Sequence, residues 1–202
     1  MTLRPMPLVL AAALAGCTGV TDPDDHDHEN ELITTVELTF VPTSGDPLEF
    51  VWSDLELDGS ALVDDVLLAP NTDYSLEIAF LNEAGDESED ITAEVEEESD
   101  EHQVFLLGSA VEGPATGAST TAVFTHAYAD EDGNGDPVGL VNDVQTRASG
   151  DAQTLRVVLQ HLPAEDGVVV KESDLAEQVA ASGIGALPGE SDVDVEFAVS
   201  LE

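Results

Sequence analysis

The sequence predicts an all-β protein: a single antiparallel β-sandwich of the immunoglobulin or fibronectin III kind, with one short helix near the C-terminal end. Three observations predict it. Apolar residues recur at every second position in many short stretches, the period of a half-buried strand. Gly, Pro, Asn and Asp separate nearly all of these stretches, as turns require. Apolar residues make up 42% of the chain but aromatics only 4%, so the core is expected to be built largely from Val, Leu, Ile and Ala, and 202 residues suit one domain better than two.

Residues 1–16 are expected to be an export signal. Arg4 supplies a positive start, Leu8 to Leu14 form an apolar run, and Ala15, Gly16 and Cys17 follow. That run is too short to span a bilayer as a helix. Leu14, Ala15, Gly16 and Cys17 resemble the lipobox of bacterial lipoproteins. The resemblance implies cleavage ahead of Cys17 and acylation there, and two or more acyl chains give stable anchoring. The competing account is an ordinary secretory signal with an incidental cysteine. Cys17 is the one cysteine of the chain, which fits a residue consumed as a lipid site and leaves no disulfide. Thr18 follows it, compatible with outer-membrane sorting under the enteric rule. The expected location is therefore the cell envelope, lipid-anchored.

Residues 17–31 are expected to form a polar tether containing Asp24, Asp25, His26, Asp27, His28 and Glu29. The β-sandwich domain is expected over residues 32–202. Its first strand places Leu32, Thr34, Val36, Leu38 and Phe40 on one face, and its second places Leu48, Phe50 and Trp52 together. Further strands are expected at Val66 to Ala69, Tyr74 to Leu81, Gln103 to Leu107, Ala122 to Tyr128, Val138 to Thr146, Thr154 to His161 and Val193 to Leu201. Ser173 to Ala181, followed by Gly183, has the look of a short capped helix, whereas Asp90 to His102 fits either a helical turn or a loop.

Leu68, Pro70, Thr72, Tyr74, Leu76 and Ile78 alternate in a way that resembles the tyrosine corner of fibronectin type III domains, which implies a Tyr hydroxyl bonded back to the preceding backbone. A proline turn leading into any strand is the alternative. More widely, Glu29 to Val36 (ENELITTV), Phe80 to Glu83 (FLNE), Glu89 to Phe105 (EDITAEVEEESDEHQVF) and Asp136 to Leu140 (DPVGL) resemble a family of small, uncharacterised bacterial lipoproteins. Its members are often labelled as type 1 periplasmic binding folds, and the label implies a periplasmic small-ligand binding protein.

Charge excludes one large class of partner. With 44 acidic residues against 4 basic ones and a net charge of −40, the chain has no basic patch with which to displace counterions from a nucleic acid. An anionic membrane surface would likewise repel the folded domain, while cations would gather around it.

Two acidic loops are the first candidates for chemistry. Asp54, Glu56, Asp58 and Gly59 stand at positions one, three, five and six of a calcium-type loop, with Asp65 at position twelve. Asp130, Asp132, Asn134 and Gly135 repeat the spacing, with Asp136 beside them. Alternate oxygens in such a loop point at one centre, and the glycine permits the sharp turn. The competing account is two solvated turns. His26 and His28 form a second candidate, for zinc, nickel or copper, against a hydrophilic spacer. His102, His126 and His161 lie in strand-like runs, where packing is the ordinary fate, although three such rings can converge in a fold.

No HExxH, GxSxG, Walker loop or GxGxxG fingerprint occurs, so no enzyme is expected. Two readings stand: a structural or interaction lipoprotein whose acidity serves a saline setting, or a surface module that binds calcium or zinc. Its protein or small-molecule partner is left open.

Overall fold

The computed structural model describes residues 31–85, 87–164 and 167–202. The fold is mostly β, with two short helices and two sheets. The strands are β1 (Thr35–Pro42), β2 (Leu48–Ser53), β3 (Leu62–Val63), β4 (Val66–Leu68), β5 (Asp73–Asn82), β6 (Glu89–Asp90), β7 (His102–Leu107), β8 (Val111–Glu112), β9 (Phe124–Tyr128), β10 (Val141–Thr146), β11 (Gln153–His161) and β12 (Glu190–Leu201). The helices are α1 (Ile91–Glu97) and α2 (Leu175–Ser182).

The larger sheet runs β3-β2-β1-β5-β10-β9-β8, with β6 beside β5, and the smaller runs β4-β12-β11-β7. Most pairs are antiparallel, as expected, but β4 lies parallel to β12 and β8 parallel to β9. Alternation settles which face of each strand is buried. Val36, Leu38 and Phe40 of β1 and Leu76, Ile78 and Phe80 of β5 join Val104 and Leu106 of β7, Leu155, Val157 and Leu159 of β11 and Val193 to Val199 of β12 at alternate positions in one cluster. Burial of each such side chain contributes roughly 1.5–3 kcal/mol before entropy is counted. The opposite face of the smaller sheet, with Phe105 and Val158, packs on Leu175, Ala176 and Val179 of α2.

Tyr74, at the start of β5, accepts a hydrogen bond from the Ala69 amide at 3.1 Å while its ring meets Phe40 edge-on. The hydroxyl thereby satisfies a backbone donor where the chain turns into β5, and the ring stays in the core.

Two local expectations change. The first strand begins at Thr35 and not at Leu32, which is 48% exposed. Asp90 to His102 contains a real helix, so the chain carries a second helix in addition to the one near the C-terminal end: Asp90 caps the Ala93 amide, and Ile91 and Val95, four residues apart, bury one stripe. Glu94, Glu96 and Glu97 occupy three of its seven positions, so its apolar period is weak in the sequence. α2 ends at Gly183, whose φ of 83° suits a residue without a Cβ.

Candidate metal centre

His102 opens β7 and His161 closes β11, and the antiparallel register sets them directly opposite each other. Both project to the face that carries Val104, Leu106, Leu155, Val157 and Leu159, so their rings stack with centroids 4.6 Å apart and planes 10° apart. Asp192 arrives from β12 by a different device. Leu159 pairs with Val193 but Gln160 pairs with Ser191, so Asp192 is the extra residue of a β-bulge. A bulge re-aims a side chain. In strict alternation Asp192 would point outward with Asp194 and Glu196, whereas its side chain is fully buried, 3.6 Å from His102 Nε2.

The protons around His102 can be placed. Nδ1 lies 3.1 Å from the Glu98 carbonyl, and a carbonyl only accepts, so Nδ1 carries the hydrogen and Nε2 presents a bare lone pair. Burial holds the pKa of this imidazole down to about 4, outweighing the Glu98 bond, so the ring is neutral at pH 7. Burial likewise pushes Asp192 up to about 7. The Glu31 amide is near enough to favour the carboxylate slightly, but neither Asp192 oxygen, nor His102 Nε2, makes a hydrogen bond of ordinary geometry. Buried polar atoms without partners are costly and rare in folded proteins.

Among the described residues, His102, His161 and Asp192 are the group of His, Cys, Asp and Glu whose ligand atoms converge, all within 4.8 Å of one another. A tetrahedral ion with bonds near 2.1 Å spaces its donors by about 3.4 Å, so small side-chain rotations would bring the three onto one centre. Two imidazole nitrogens and one carboxylate suit zinc and its transition-metal neighbours and do not suit calcium, which takes six or more oxygens. Around this trio, Glu31 and Glu94 share a hydrogen bond, and burial followed by the charge of Glu94 pushes Glu31 up to about 7. Glu101 Oε2 lies 3.9 Å from His161 Nε2.

The acidic loops are organised otherwise. Asp54, at the end of β2, turns both oxygens on its own loop, accepting from the amides of Asp58 at 3.3 Å and Gly59 at 2.8 Å. Asp58 accepts from Ser60, and Glu56, Asp58 and Asp65 are exposed. In the second loop Asp130 accepts from Gly139 and Val141, and Asp132 accepts from Asn134 and Asp136. The other Asp132 oxygen lies 3.1 Å from the ammonium of Lys171, with both side chains fully buried. Burial would raise the Asp132 carboxyl, but the Asp136 amide and Lys171 prevail and hold it low. The chain's one lysine thus serves this loop as a built-in cation, and it also donates to the Ser99 carbonyl at 2.6 Å. Asn134 is exposed, and Asp136 offers this arrangement its amide.

His126 stands apart from the other two histidines, in the larger sheet, edge-on to Tyr128 and over Gly113. His26, His28 and Cys17 lie outside the described residues. Asp192 was not legible as a ligand because the alternation of β12 files it with the outward acids. The one available signal was a histidine at one end of each of two strands, and the pairing of those strands spans the whole of β8 to β10.

No family model matches the chain, and neither a curated protein nor a solved structure is similar to it at a significant level. No helix among the described residues is long and apolar enough to cross a membrane.

Proposed function

We propose that this protein is a lipid-anchored, acidic envelope module that binds one divalent transition-metal ion of the zinc class through His102, His161 and Asp192. The observation that carries the reading is the convergence of three buried ligand groups in which His102 Nε2 and both Asp192 oxygens lack hydrogen-bond partners. A cation would engage His102 Nε2 and an Asp192 oxygen at once, and neutral imidazole is the form that ligates. Cys17 acylation would hold the module at a membrane, and the surrounding acidic field would raise the local concentration of cations. The kinship of the two-sheet core to immunoglobulin or fibronectin III sandwiches belongs to the same proposal: the Ala69–Tyr74 bond supports it, while the two parallel strand pairs depart from it.

The test is metal content. The full chain, exposed to zinc and dialysed, is expected to keep one zinc per chain by elemental analysis. His102→Ala with His161→Ala should keep none, while His26→Ala with His28→Ala should still keep one. Equal zinc in the wild type and the His102/His161 variant would overturn the proposal. The structural or saline-adapted reading is favoured by the outward acids of β12, Asp194 and Glu196, which line an exposed face, and it would stand alone in that event.

A further inference from the structure

We infer that Glu101 is the fourth ligand of this centre and closes it, making a four-coordinate site that clamps the end of the smaller sheet and leaves no position for a substrate. The inference rests on the reading that His102, His161 and Asp192 bind a zinc-class ion.

Charge is the first argument. A dication held by two neutral imidazoles and one carboxylate keeps a net charge of +1, in a place where the side chains of His102 and Asp192 are 1% and 0% exposed. Isolated charge in such surroundings is costly. A second carboxylate makes the centre neutral.

Position is the second. Glu101 precedes His102 in the chain, and its Oε2 lies 3.9 Å from His161 Nε2. Each stacked imidazole therefore faces a carboxylate, His102 facing Asp192 and His161 facing Glu101. The main chain of Glu101 is pinned on both sides: its amide donates to the Glu98 carbonyl at 2.8 Å, and its carbonyl accepts from Leu162 at 2.6 Å. Its side chain is 21% exposed, so it can swing from the rim onto an arriving ion. Two other acids close to Asp192, Glu31 and Glu94, are bonded to each other.

The consequence is mechanical. An ion held by Glu101, His102, His161 and Asp192 joins the turn after α1, the end of β11 and the bulge of β12, three segments far apart in the chain. Closed four-ligand zinc sites stabilise folds, whereas catalytic ones keep a position for water.

Cobalt(II) in place of zinc reports both the ligand number and the open position. Cobalt titrated into the full chain should give the intense visible bands of a tetrahedral centre, and azide or thiocyanate should leave them unchanged. Glu101→Gln, nearly isosteric at a rim position, should bind cobalt at least 10- to 100-fold more weakly and show bands that now respond to azide. Glu101→Asp, charged but shorter, should fall between the two. An azide response in the wild type, or an unchanged affinity and spectrum in Glu101→Gln, would overturn the closed site while leaving the three-ligand reading intact. Failure of the wild type to take up cobalt or zinc at all would overturn both.

Discussion

Asp192 reaches His102 only because β12 contains one residue more than β11 between the pairs Leu159–Val193 and Gln160–Ser191. The bulge turns an acid from the solvent face into the core, and this inversion gives the protein a pH dependence of a specific sign.

The carboxyl of Asp192 rises from an ordinary 3.8 to about 7 on folding. The folded state therefore holds a proton that the unfolded state releases, so this contribution is complete below pH 3.8 and is lost as pH climbs towards 7. In metal-free protein, Asp192→Asn should gain on the wild type by about 1.4 kcal/mol per pH unit through that window. His102 titrates with the opposite sign over about pH 4 to 6.5, so the comparison must be made between variant and wild type, by urea denaturation at each pH. A constant difference between the two would show that Asp192 is not buried as described.

Gly189 holds the other side of the same corner. Its φ is +76°, and a Cβ there would stand 1.9 Å from the His161 carbonyl oxygen. Gly189→Ala must displace the end of β11, with an expected loss of about 3 kcal/mol or more in chemical denaturation. Zinc retention should fall as well, because His161 moves with its backbone.

Lys171 and Asp132 are a fully buried pair, and removing one partner strands the other. Lys171→Met should lose about 3–5 kcal/mol, whereas Lys171→Met with Asp132→Asn should recover much of it. Additive losses in this double-mutant cycle would mean that the two charges do not interact.

Repulsion among the 44 acidic residues opposes the compact state and is screened by salt. The melting temperature should climb with sodium chloride from low to moderate concentration. Calcium at matched ionic strength should give a similar rise, since Asp54 and Asp130 spend their oxygens on loop amides and Asp132 divides its own between amides and Lys171. An additional calcium-specific rise, removed by Asp54→Asn with Asp58→Asn, would place a cation in the first loop after all.

Cys17 lies outside the described residues, and its role is tested in cells. Cys17→Ala should move the protein from the detergent phase to the aqueous phase in phase-separation assays. Continued partitioning into detergent would exclude the lipid anchor.

Local rules carried the sequence reading a long way. Period-two alternation marked β1, β2, β5, β9, β10, β11 and β12 to within a few residues, since a strand buried on one face must alternate wherever it sits in the sheet. Gly183 marked the end of α2 for an equally local reason. The candidate centre obeys no local rule. His102 meets His161 because β7 pairs with β11 across an intervening stretch that folds largely into the other sheet. The meeting of Lys171 with Asp132 is equally non-local. Asp192 points inward against its own alternation, because a single unpaired residue reverses the face of the acid without altering the composition of the strand. Alternation along a strand is fixed by backbone geometry and can be read from neighbours in sequence; pairing and bulging are fixed by the competition among whole strands for partners, and only the assembled core decides that.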